Sequence, residues 1–158
     1  MASIKIATGI KTYDVEDQNG NVRGQIKFNP SDINFIKRLT EMEDKLNEYM
    51  SKYSELNNEV VSSPESDDVE SEAMKALAAL DFYDRQAKRV INETFDDEHL
   101  SDVIFGSESC FNILNGETFV ERFLDGVIPV IKADVEKAAK NINDKVSKYT
   151  AQTHEKEW

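Results

Sequence analysis

The chain holds one cysteine, three prolines and one tryptophan in 158 residues. A lone Cys110 allows no intramolecular disulfide and no cysteine-built zinc site. The six glycines are scattered: there is no GxGxxG and no glycine-lysine-serine or glycine-lysine-threonine run, which excludes the nucleotide enzymes that depend on such phosphate loops. Bases are also scarce. With 19 Lys+Arg against 31 Asp+Glu the formal net charge is -12, so unspecific binding to phosphate backbones or anionic lipid is disfavoured. Long apolar runs are missing as well. The 39% of hydrophobic residues is broken up by charge throughout, no window approaches the roughly 20 apolar residues of a membrane span, and no apolar leader opens the chain. A soluble, cytoplasmic protein is the expectation.

Groups for chemistry are equally sparse. His99 and His154 are the only imidazoles, and Asp96 with His99 makes a single pair at helical spacing where a di-iron bundle needs two such pairs and further glutamates. Asp17-Gln18-Asn19-Gly20 has the look of a calcium loop, yet its first and last ligand positions would be Val15 and Ile26, which have no oxygen to offer from their side chains. Neither Cys110 nor any serine stands in the surroundings of a catalytic nucleophile. No catalytic residue, metal or other cofactor is expected, and the sequence reads as non-enzymatic.

What is present is an uneven distribution of charge. Residues 53–74 contain seven acids and no base, and residues 90–121 contain eight acids and no base. The remainder, with 19 bases and 16 acids, is an ordinary mixed surface. Ser62 to Asp68, inside the first acidic stretch, carries Pro64 and no large apolar residue, which predicts a flexible linker at 61–70.

Hydrophobic periodicity changes along the chain. Ile4 and Ile6, then Tyr13 and Val15, then Val22, Ile26 and Phe28 alternate with polar residues, and Gln18-Asn19-Gly20-Asn21 supplies a tight turn. This predicts a β-hairpin, or a three-stranded meander if residues 2–7 join it. At Asn29-Pro30-Ser31-Asp32 the period becomes helical: Asn29 can cap, Pro30 suits the first helical position, and Asp32 favours the positive end of the helix dipole. A helix of nearly thirty residues follows. A second runs from about Val69 to Thr94, with Leu77, Leu80, Ala87, Val90 and Ile91 on its apolar side, and short helical pieces fit Leu100 to Phe105 and Ser109 to Leu114. The last long pattern runs from Phe119 through Phe123, Val127, Ile131, Val135, Ala138 and Ile142 to Tyr149, with Pro129 placed to kink or split it. The expected architecture is α+β and mostly α. An N-terminal hairpin packs on a bundle of three long helices plus short ones, residues 1–150 form one domain, and 151–158 are a frayed tail.

The first long helix offers the candidate site. Leu39, Met42, Leu46, Tyr49, Met50, Tyr53 and Leu56 recur at alternating spacings of three and four, and their methionines and tyrosines are soft, amphipathic contact residues. Such a stripe either packs on the chain's own helices or binds a partner or a second copy.

Lys11-Thr12-Tyr13-Asp14-Val15, Asn19-Gly20, Gly24, Ile26-Lys27-Phe28-Asn29-Pro30-Ser31-Asp32 and Asn34-Phe35 resemble the opening of the tail assembly chaperones of long-tailed phages and prophages of Gram-positive bacteria. Phe95, Asp102, Ile104-Phe105-Gly106, Phe119, Phe123-Leu124 and Pro129 are similar to that family's second half, although Ser107-Glu108-Ser109-Cys110 stands where the family has a glycine-rich turn. The resemblance implies a non-enzymatic chaperone. It would cover the tape measure protein in the infected cytoplasm, help gather tail tube subunits, and be absent from the finished particle. A programmed frameshift often gives such proteins a longer second form. The acidic charge supports an alternative: a phage-encoded nucleic-acid mimic that blocks a host DNA-binding or defence protein.

Overall fold

The computed structural model describes residues 2–62 and 69–156. Strands β1 (Lys11–Glu16) and β2 (Val22–Phe28) form an antiparallel hairpin. Asp17 organises its turn: the carboxylate accepts from the backbone N–H of Asn19 at 2.8 Å and of Asn21 at 3.0 Å, and Gly20 takes the left-handed φ of 80° that the turn requires. Val15 faces Gly24 and Glu16 faces Val22, so Arg23 is the extra residue of a bulge. No third strand forms. Residues 2–10 have no ladder partner among the described residues, and Ile4 and Ile6 stand in solvent.

Helix α1 (Ile33–Ser62) begins later than the sequence pattern suggests. Asn29 closes a turn by accepting from the Ser31 N–H at 3.0 Å, and Asp32 is the residue that caps, accepting from the Asn34 N–H at 3.0 Å. Helix α2 (Val69–Thr94) follows; residues 63–68, most of the expected linker, lie outside the described residues, while its ends belong to α1 and α2. The α2 C-terminus is closed by Asp96 at φ 51°, with Asp97 N–H donating to Asn92 O and Asp96 N–H to Glu93 O, a Schellman arrangement built without glycine.

Helix α3 (Leu100–Phe105) lies across β2. Gly24 is the reason it can: a Cβ there would come 2.5 Å from Val103 Cγ1. The segment expected as a short helix at Ser109–Leu114 is instead a turn followed by a second, minimal hairpin, β3 (Ile113–Leu114) with β4 (Glu117–Thr118). Asn115 and Gly116 both have positive φ, 53° and 82°, and this pair is a turn former that outweighs a helical reading of so few residues. Helix α4 (Phe119–Lys156) starts where the Thr118 hydroxyl accepts from the Glu121 N–H at 3.1 Å. Pro129 does not split it, because Val127 and Ile131 on either side are both buried and hold one continuous face on the core. The helix includes residues 151–156 of the expected tail, and 157–158 lie outside the described residues.

The molecule is therefore α+β and mostly α: a two-stranded hairpin on three long helices, one short helix and a minor hairpin. A run of rings, Tyr13 to Phe28 to Phe35 to Phe95, with centroids 5.9, 5.3 and 5.8 Å apart, joins the hairpin to both α1 and the end of α2. No helix of the described residues is long and apolar enough to cross a membrane.

Candidate functional site

The α1 stripe is turned inward. Arg38 Nε donates to Thr94 O at 3.2 Å, and eleven positions further along α1 the Tyr49 ring meets Tyr83, eleven positions back along α2, at 6.0 Å. The two helices thus run antiparallel and in step, each covering the other's apolar face. Leu39, Met42 and Leu46 are buried in the core, the last two completely, and so are unavailable to a partner. Of the two alternatives for the stripe, these three residues take the first, packing on the chain's own helices: periodicity identifies the face, while the matching face of α2 decides what meets it. Tyr49, Met50, Tyr53 and Leu56 are half-buried. Tyr53 packs at 4.5 Å on Phe111, which the loop after α3 brings across, and Met50 Sδ lies 3.7 Å from the Thr118 hydroxyl.

That loop is held by Asp84. Its Oδ1 accepts from the Cys110 N–H at 2.8 Å, its Oδ2 accepts from Lys88 Nζ at 3.0 Å, and Lys88 donates also to Glu108 O at 2.8 Å. Cys110 is fully buried, and burial, with Asp84 beside it, pushes the thiol well above its ordinary range. This side chain is packed in the core, with the thiol held in its protonated form.

Two features remain open to solvent. On α2, Met74 is 72%, Leu77 60% and Phe82 54% exposed, spread around the part of the helix that α1 does not cover. The sequence places Leu77 on the apolar side and gives Met74 no role. The signal was present in the composition of α2, which has more large apolar residues than one helical stripe can bury, but only the position of α1 shows which are left over.

The second feature is a groove of about 400 Å³ between β1 and the first turns of α4. Six consecutive residues, Tyr13 to Gln18, line it. Both the inward-turned Tyr13 and Val15 and the outward-turned Asp14 and Glu16 are among them, so the groove reaches the outer edge of β1, while Ile26 of β2 and Ile104 of α3 form its inner side. That edge is free, since β1 pairs only with β2 among the described residues. Opposite, the guanidinium groups of Arg23 and Arg122 lie 5.6 and 4.9 Å from the centre of the Phe119 ring. Arg23 Nε donates to Ile104 O at 2.7 Å, and buried Arg122 Nε has no hydrogen-bond partner. At the groove's end the Tyr13 hydroxyl donates to Asp134, and that bond raises the tyrosine pKa. Among the described residues no three His, Cys, Asp or Glu side chains are grouped to hold a metal ion.

Comparison of the chain with protein-family models, with curated proteins and with solved structures found no match.

Proposed function

We propose that this protein is a non-enzymatic tail assembly chaperone of a long-tailed phage, which acts in the host cytoplasm, covers apolar helical segments of the tape measure protein and is left out of the finished particle. The observation that carries the reading is the exposure of Met74, Leu77 and Phe82 on α2. Three exposed large apolar side chains on one stretch of helix, with the Asp81–Arg85 ion pair on the same open face between Leu77 and Phe82, suit the lateral binding of another amphipathic helix. The resemblance to the chaperone family supports it, because the residues that carry the resemblance have structural work here: Asn19 and Gly20 in the hairpin turn, Gly24 beneath α3, Asp32 at the α1 cap. The contact surface of this reading is α2 rather than the α1 stripe.

Co-expression with the tape measure protein tests it. The native chain should keep the tape measure protein in the soluble fraction, and Met74→Lys with Leu77→Lys should abolish this while leaving the far-ultraviolet circular dichroism unchanged. A native chain that leaves the tape measure protein insoluble would overturn the function. Full solubilisation by the double variant would move the contact away from α2.

A further inference from the structure

Residues 1–13 contain Ile4, Ile6 and Ile10, Lys5 and Lys11, and no acid, in a chain whose net charge is -12. Ile4 is 91% and Ile6 79% exposed. Their alternation is that of a strand, but they join no strand ladder among the described residues, and Asn29 Nδ2 fixes the root of the segment by donating to Thr8 O at 2.8 Å. The same molecule offers the complement. Along β1, Tyr13 and Val15 turn inward and are half-buried, whereas Asp14 and Glu16 turn outward and are exposed.

We propose that residues 3–8 of one copy add as a third strand to the free edge of β1 in a second copy, and that the exchange is reciprocal, giving a two-fold dimer. The pleat makes the fit specific. In a strand, Ile4 and Ile6 project to one face and Lys5 to the other. Laid beside β1, the isoleucines enter the groove next to Tyr13 and Val15, and Lys5 meets Asp14 and Glu16 on the outer face. A shift by one residue would put lysine against the apolar floor and isoleucine against the carboxylates, so the register is determined. The strand would also satisfy backbone groups that β1 now leaves to water. Arg23 of β2 and Arg122 of α4 do not oppose the lysine, since both guanidinium groups are held against the Phe119 ring on the inner side of the hairpin, Arg23 also by Ile104 O, whereas Lys5 is on the outer face.

Light scattering after size-exclusion chromatography, over a series of concentrations, tests this on the full chain. The native protein should pass from monomer to dimer. Ile4→Asp with Ile6→Asp should raise the dimer dissociation constant by about ten-thousandfold or more, the loss expected for the four isoleucines that the reciprocal exchange buries. Gly126→Leu should do the same from the other side: Gly126 lines the groove, a Cβ there has open space, and leucine suits a helix better than glycine. Mixing the two variants should give association weaker than the native dimer but tighter than either variant alone, because the intact segment of the second fits the open groove of the first and one of the two exchanges survives. A native chain that stays monomeric, variants that dimerise as the native chain does, or a mixture that associates no more tightly than either variant alone would each overturn the proposal. Circular dichroism checks that Gly126→Leu is folded, and the isoleucine variant tests the proposal alone if it is not.

Discussion

The half of the α1–α2 pair nearest the hairpin and the half farthest from it share one hydrophobic rhythm and have different surroundings. Near the hairpin, Phe35, Leu39, Met42 and Leu46 face Ala87, Val90, Ile91 and Phe95, and all eight are buried. Toward the far end, Tyr49, Tyr53 and Leu56 are half-buried, and Met74 and Leu77 are exposed. The difference lies in the third layer. The hairpin, α3 and the start of α4, with buried Val120, Phe123, Val127 and Ile131, seal the near half. At about 1.5 Å per residue α1 is about 45 Å long, and the hairpin, α3 and the start of α4 cover only its first half. The same helix pair is thereby sealed at one end and more open, among the described residues, at the other.

Substitutions of equal chemistry in the two halves are the strongest way to break this comparison. Leu46→Ala removes a fully buried side chain and should cost about 2–5 kcal/mol in urea unfolding, whereas Leu77→Ala, on the exposed face, should stay within about 0.5 kcal/mol. Equal losses would mean that the far half is sealed too. Gly24→Ala sharpens the account of the third layer: the added methyl must displace Val103 and with it α3 from β2, at about 1–3 kcal/mol, and Val103→Ala in the same chain should recover most of the loss. The smallest effect is at the hairpin turn. Hydrogen bonds from the Asn21 and Asn19 backbone hold the Asp17 carboxyl below its ordinary value of 3.8. A group lowered on folding stabilises above its unfolded pKa and loses that contribution as pH falls through the folded one. The hairpin amides should therefore exchange faster with solvent below about pH 4, ahead of the α1 and α2 amides near Met42 and Ile91, and Asp17→Asn should remove that acid step.

Much of the fold was legible because it is local. Strand alternation from Tyr13 to Phe28, the Asp17 to Asn21 turn, the bounds of the second long helix and the short helix at Leu100 to Phe105 all follow from neighbours within a few residues. Errors arose where two local signals competed. Asn29 and Asp32 are both capping residues, and Pro30 between them supports either; Ser109 to Leu114 has helical spacing but ends in an Asn-Gly turn that makes it a hairpin. The candidate site was less legible still. The stripe from Leu39 to Leu56 has the composition of a contact surface and is one, but its partner over the first half is α2 of the same chain.

By itself the sequence determined the class of the fold, the order of the first hairpin and the three long helices, and a net charge of -12. These follow from propensity, capping and composition, which act over a turn of helix or over the whole chain without regard to topology. The tertiary structure alone decided which apolar residues are sealed and which are offered. Burial belongs to pairs of faces brought together across the chain: Arg38 against Thr94 puts Met42 in the core, Val103 against Gly24 seats α3, and the unpaired edge of β1 leaves a groove where Ile4 and Ile6 have none of their own to fill.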